Sequence, residues 1–144
     1  MVSSTKGRYA LRVLIDIAEN SHGEYIAMKD VAARQEISLK YMEKIMPVLV
    51  SHDLVESSHG KGGGYRLSHD PSEYRVGEIL RLTEGDIAPV ACLQTDAAEC
   101  GRNAYCRTLP MWTELNRRIS EYLDSVTIAD LMQAPDMKQP PAAV

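Results

Sequence analysis

Ile37-Ser38-Leu39-Lys40-Tyr41-Met42-Glu43-Lys44-Ile45-Met46, followed a short way on by His59-Gly60-Lys61-Gly62-Gly63-Gly64-Tyr65, is the part of the chain whose reading decides the fold. Ser38 offers a side-chain oxygen just ahead of a run with apolar residues at Leu39, Met42, Ile45 and Met46, which predicts an N-capped helix with one core face. Lys40, Tyr41, Glu43 and Lys44 then point outward, and cations, a phenol and a carboxylate can reach phosphates and base edges in a major groove. Leu54 to Leu67 has strand-like ends around the glycines, which permit a positive φ and so predict a hairpin. A phosphate-cradling nucleotide loop is excluded, because Lys61 is followed by Gly62 instead of Ser or Thr and no helix opens after it.

Working outward, Ala27 to Gln35 reads as a helix with Met28, Val31 and Ala32 on one side, and Glu36-Ile37 breaks it just before Ser38. Helix, short turn, helix and hairpin is the outline of a winged helix-turn-helix, so the expected fold is mainly α with a small β wing. Glu36 stands where glycine would be comfortable; a left-handed conformation there costs about 1 kcal/mol. Pro47 is expected to kink the second helix. Val48, Leu49, Val50, Leu54 and Val55 return the chain to the core. Upstream, Thr5 is expected to cap a helix to Asn20, with Tyr9, Ala10, Val13, Leu14, Ile17 and Ala18 as its apolar stripe. Lys6 in its first turn opposes the helix dipole unless an anion such as a DNA phosphate sits there; the alternative is a plain solvated lysine. Tyr25-Ile26-Ala27 can add a short strand against the wing. Beyond the wing, Asp70 to Glu73 is a turn, and Val76 to Glu84 is a helix with Val76, Ile79, Leu80 and Leu82 inward and Gly85 as its stop.

Thr5-Lys6-Gly7-Arg8-Tyr9-Ala10, the Ile37 to Glu43 run and Gly60 to Tyr65 together resemble the bacterial winged-helix regulators that include IscR, NsrR and CymR, most of all IscR, over about residues 1 to 133. The resemblance implies a homodimeric cytoplasmic transcription factor on a near-palindromic duplex operator, with an iron–sulfur cluster, 2Fe-2S or 4Fe-4S, on three cysteines. It makes Lys6, Ser38, Lys40, Tyr41, Glu43, Lys44, His59, Lys61 and Gly62 the candidate DNA-facing residues.

The 144 residues suit one winged domain (1–85), a cysteine-bearing loop (86–107), dimerisation helices (108–133) and a disordered tail (134–144). With 44% hydrophobic and 25% charged residues the chain has globular balance, and no apolar run approaches a membrane span. A net charge of −4 argues against nucleic acid until the chain is divided: residues 1–70 carry nine Lys/Arg and nine Asp/Glu, and 71–144 carry seven and eleven. The acid surplus is all C-terminal, which leaves the helix-turn-helix free to present its lysines to phosphate.

Cys92, Cys100 and Cys106, spaced C-x7-C-x5-C in a polar stretch, are too few and too clustered for a disulfide framework and lack the periodic apolar setting of buried cysteines. Three thiolates on a loop suit a soft metal or an iron–sulfur cluster, and a metal-free thiol switch or structural thiols are the alternatives. The resemblance puts these three at the cluster positions, with two departures. The first interval is two residues longer than in IscR. The fourth ligand is missing, since Leu109 replaces the histidine of IscR and Arg8 the aspartate of NsrR-like proteins.

Thr108, with Pro110 behind it, is expected to cap a long helix on which Trp112, Leu115, Ile119, Tyr122 and Val126 recur at seam spacing, predicting a dimer contact. Thr127 to Gln133 is a short last helix. An enzyme is disfavoured, because the four histidines are dispersed among polar residues and no catalytic grouping is present. A small electron-transfer protein would have no use for a wing.

Overall fold

The first apolar stripe becomes the hub of the molecule. In the computed structural model, which describes residues 4–132, helix α1 (Thr5–Asn20) buries Ala10, Val13, Leu14 and Ile17 and touches α2 (Met28–Gln35), α3 (Leu39–Ser51) and elements from the rest of the chain. Its cap is Ser4 and not Thr5: the Ser4 Oγ accepts from the Gly7 N–H at 3.3 Å. Between α2 and α3 Glu36 takes the left-handed conformation (φ 54°, ψ 44°), and Ser38 caps α3 by accepting from the Tyr41 N–H at 3.1 Å.

Helix α3 runs through Pro47 to Ser51 without ending there. Pro47 is exposed, and burial of Met46 and Leu49 on either side offsets the one backbone bond its ring removes. Met42, Ile45, Met46 and Leu49 are buried as the spacing predicts, but Leu39 is 49% exposed. Four residues before Glu43 it falls on the outer arc of the helix, a place that periodicity read from one end does not resolve. Val50 is exposed for the same reason.

Strands β1 (Val55–Ser58) and β2 (Gly64–Leu67) pair antiparallel, with Val55 opposite Leu67 and Ser58 opposite Gly64. Ile26 bridges to Tyr65 and makes the expected third contact. Glycine serves this hairpin in two ways: Gly62 turns at φ 79°, and a Cβ on Gly64 would lie 2.1 Å from the Ile26 carbonyl oxygen. Asp70 caps a short 3-10 turn with Glu73 returning to its N–H. Helix α4 (Val76–Glu84) ends at Gly85; Val76, Ile79, Leu80 and Thr83 face inward, while Leu82, expected inward, is 39% exposed.

The core of the winged domain assigned to residues 1–85 is completed from the far end of the chain. After α5 (Leu109–Ser125), helix α6 (Ile128–Leu131) inserts the fully buried Ile128 beside Leu14, Ile45 and Tyr74 in one cluster. The Val76 N–H donates to the Val126 carbonyl and the Ile128 N–H to the Tyr74 carbonyl, both at 2.9 Å. A smaller cluster of Val76, Leu80 and Ile87 holds α5 through Ile119, Leu123 and Val126. Among the described residues no helix is long and apolar enough to cross a membrane; Gln133 and the tail at 134–144 lie outside them.

Candidate nucleic-acid interface and cysteine loop

On α3 the side chains of Lys40, Glu43 and Lys44 are all exposed, and their i, i+3, i+4 spacing gathers them on one arc. Two ammonium groups and one carboxylate on a capped helix can donate to phosphate or guanine and accept from cytosine. Tyr41 departs from expectation. Its ring is half-buried and meets Tyr9 of α1 edge to face, centroids 5.2 Å apart, so it anchors the helix against α1.

Behind that anchor stands a polar network that the sequence did not reveal. The Arg12 guanidinium lies 4.9 Å from the centre of the Tyr9 ring and donates to Gln35. Gln35 in turn donates to Asp16 at 2.9 Å, and Arg34 donates to both Asp16 oxygens, from Nε at 3.0 Å to Oδ2 and from its terminal nitrogen at 2.8 Å to Oδ1. Asp16 is buried, and its carboxylate raises the pKa of Arg34 above the ordinary arginine value by accepting these bonds. A carboxylate taken out of water and paired on three sides fixes α1 against α2. The one sequence signal was an acid on α1 with an Arg-Gln pair 18 and 19 residues later.

At the wing, His59, Lys61 and Gly62 are exposed in the loop joining β1 to β2. The other wing cation is occupied: Arg66 donates to Glu56 at 2.7 Å, reaches the Gly23 carbonyl and lies 4.3 Å from the centre of the Tyr25 ring. Arg66 is therefore a strut, and Lys61 is the cation at the tip.

Lys6 is half-buried in the first turn of α1. An anion does sit at that helix end, and it is the protein's own: the Glu84 carboxylate at the end of α4 accepts from the N–H and hydroxyl of Ser4, the latter at 2.8 Å. A carboxylate 80 residues away in sequence thus contributes to compensating the dipole.

Residues 86–107 carry the cysteines between α4 and α5. Cys92 is exposed, and Cys100 and Cys106 are half-buried; all three are free thiols. Among the described residues no three His, Cys, Asp or Glu side chains converge as a metal site. The donor chemistry nevertheless suits an iron–sulfur cluster, which takes soft thiolates. Cys106 has polar neighbours of its own. The Thr108 hydroxyl, 3.5 Å away, the backbone N–H groups of Thr108 and Leu109 and the Arg102 charge hold its thiol below the usual range. Thr108 therefore faces the sulfur and does not cap α5 through its side chain. Asp86 fixes the start of the loop by accepting from the Ala88 and Thr95 N–H groups, which keep its carboxyl below the usual carboxylate range.

The apolar seam expected on α5 divides between two faces. Ile119 and Val126, partly buried, pack on the chain's own smaller cluster with Leu123. Leu115 (39% exposed), Tyr122 (67%) and Met111 (53%) remain outward, and Trp112 is half-buried. A spacing of three and four residues serves either face equally, because a straight helix turns 3.6 residues per turn and drifts across the two.

Residues 3–134 match the family model described as Rrf2, iron-dependent transcriptional regulator. The protein rrf2 of Nitratidesulfovibrio vulgaris is 37% identical over 133 residues, covering 92% of this chain and 88% of that protein. The structure of CymR, the global cysteine regulator of B. subtilis, superposes with a TM-score of 0.74 at 32% identity over 91% of this chain and 95% of its own. That of T. potens IscR gives 0.75 at 31% identity over 97% and 94%.

Proposed function

The chain belongs to the Rrf2 family, whose members are transcriptional regulators and not enzymes, and from that premise we propose that it binds a near-palindromic operator as a twofold dimer in the cytoplasm under the control of its cysteine loop. The observation that carries the DNA-binding part is the outer arc of α3, where Lys40, Glu43 and Lys44 stand exposed on a helix braced from behind by Tyr41, Tyr9 and the Asp16 network. Ser38 holds the helix start. His59, Lys61 and Gly62 carry the wing tip toward a flanking minor groove, where a narrow tract attracts cations.

Dimerisation uses the outward residues of α5, Met111, Leu115 and Tyr122, with Trp112 at their edge. A symmetric pair sets the two recognition helices about one DNA turn apart, ~34 Å, or a multiple of it.

Cys92, Cys100 and Cys106 hold an iron–sulfur cluster, which when bound supplies a centre that responds to oxidant or iron supply. These residues would tie together the loop between α4 and α5 when they hold it, and so would bear on how the winged domains are spaced. A tenfold change in operator affinity needs only about 1.4 kcal/mol of such coupling. With Leu109 and Arg8 at the two family positions for a fourth ligand, that ligand would be a weaker one: Asp96 or Glu99 in the same loop, a residue of the partner chain, or a small thiol. A second reading, a metal-free thiol switch, is supported by the three free thiols on one loop, with the Thr108 hydroxyl 3.5 Å from the Cys106 sulfur.

Anaerobic reconstitution of wild type and Cys100→Ala with iron and sulfide separates the two. The cluster reading expects visible absorbance and bound iron and sulfide in wild type alone. Absence of cluster from wild type, with operator affinity that still changes on thiol oxidation, would leave the switch as the account.

A further inference from the structure

Leu39 is the first residue of α3 and is 49% exposed, whereas Met42, Ile45 and Met46 on the same helix are buried. It shares the outer arc with Glu43, four residues on, and Lys40 and Lys44 continue that arc. A single exposed leucine is ordinary on a protein surface. This one stands at the N-terminal end of a helix whose outward groups from there to Lys44 are two cations and a carboxylate. Those neighbours disfavour an apolar protein partner and suit a polyanion, and residues at the start of a recognition helix are the ones that meet base edges. The apolar feature of a major-groove floor is the C5-methyl group of thymine.

Resting on the DNA-binding reading above, we propose that Leu39 is a specificity-determining residue that packs on the C5-methyl of one thymine in each operator half-site. The position of that thymine follows from helix geometry. Four residues at 1.5 Å rise place Leu39 about 6 Å along the axis from Glu43, within two base steps of about 3.4 Å. If Glu43 accepts from a cytosine amino group, the thymine lies one or two base pairs from that cytosine. The hydrophobic part of the contact is of one-methyl size, about fourfold in affinity per half-site, and two separated half-sites combine to over tenfold, roughly.

The test begins with selection of duplexes from a random pool by the full-length protein. In the selected operator each thymine is then replaced singly by uracil, which removes the methyl and leaves the hydrogen-bonding edge intact, and binding is followed by fluorescence anisotropy. The expected result is one thymine per half-site at which uracil weakens wild type about fourfold, adjacent or next but one to a cytosine. Leu39→Ala should bind the thymine and uracil duplexes alike, and Leu39→Met should keep part of the preference. Leu39 is outside the core, so the variants retain wild-type melting, which is checked on the same samples. A uracil scan without effect, or an effect undiminished in Leu39→Ala, overturns the assignment while leaving DNA binding intact. Failure of wild type to retain any duplex removes the DNA-binding reading itself, and this inference with it.

Discussion

Replacing Asp16 by Ala removes the centre of the network that joins α1 to α2. The three shortest bonds to its carboxylate are lost, from Arg34 at 2.8 and 3.0 Å and from Gln35 at 2.9 Å. A hydrogen bond to a charged group contributes about 1.5–3 kcal/mol, but the three do not add in full. The Arg34 side chain is 40% exposed and regains water once released, whereas that of Asp16 is 2% exposed. The net loss is therefore about 2–4 kcal/mol, which at this chain length is a fall in Tm of about 5–15 °C. Arg34→Ala should cost at least as much, since it leaves the buried carboxylate with Gln35 alone, and the double variant should cost much less than the sum. Urea unfolding followed by circular dichroism measures all three, and a shift in midpoint at constant slope identifies a stability effect. Because Gln35 and Arg12 also steady Tyr9 and Tyr41, operator affinity measured well below the melting temperature should fall as well. A cost below about 1 kcal/mol for Asp16→Ala would refute the claim that this pair fixes the helix-turn-helix.

Three further outcomes are expected. Leu115→Glu with Tyr122→Glu charges the outward stripe of α5 and should give folded monomers in sedimentation velocity, with weakened operator binding; a surviving dimer would place the interface elsewhere. Gly64→Ala puts a methyl 2.1 Å from the Ile26 carbonyl oxygen at φ 150° and should disorder the wing, seen as faster amide exchange at Tyr65 and Ile26 with α1 unchanged. The third outcome concerns acid. Arg81 donates to both Asp124 oxygens, at 2.8 and 3.2 Å, and holds its carboxyl below the usual carboxylate range. A carboxylate lowered on folding stabilises in full above its unfolded value and loses that contribution as pH falls through the folded one. The hold of α5 on α4, read by the single tryptophan, Trp112, should therefore weaken below about pH 4 in wild type, and Asp124→Asn should lack that acid-dependent component.

What the sequence disclosed were features written in a few neighbouring residues. Ser38 ahead of its apolar run, Gly85 after Glu84 and the glycines of the hairpin each fix a local backbone state, and each was legible. Features made by distant residues were not. The Glu84 carboxylate at the α1 N-terminus and the grip of Arg34 and Gln35 on Asp16 join polar side chains whose approach depends on how helices pack. Ile128 closing the core is a contact of the same kind. Periodicity misled at helix ends, where Leu39 and Leu82 satisfied the spacing yet face out, and on α5, where one pattern serves two faces. In the cysteine loop the thiols could be counted and matched to a chemistry. Their mutual placement could not be read, because nothing periodic or capped constrains residues 86–107.

The central claim, that α3 and the wing form a surface for duplex DNA, is tested most directly by the salt dependence of operator binding in wild type and in the folded variants Lys40→Ala, Lys44→Ala and Lys61→Ala. Wild type should lose affinity steeply and log-linearly with salt, since each neutralised phosphate releases counterion. The account predicts that Lys61→Ala weakens all duplexes alike and lowers the slope by about one per protomer. Lys40→Ala or Lys44→Ala should also relax preference at particular base pairs. Affinity independent of salt, or unchanged in all three variants, would contradict it.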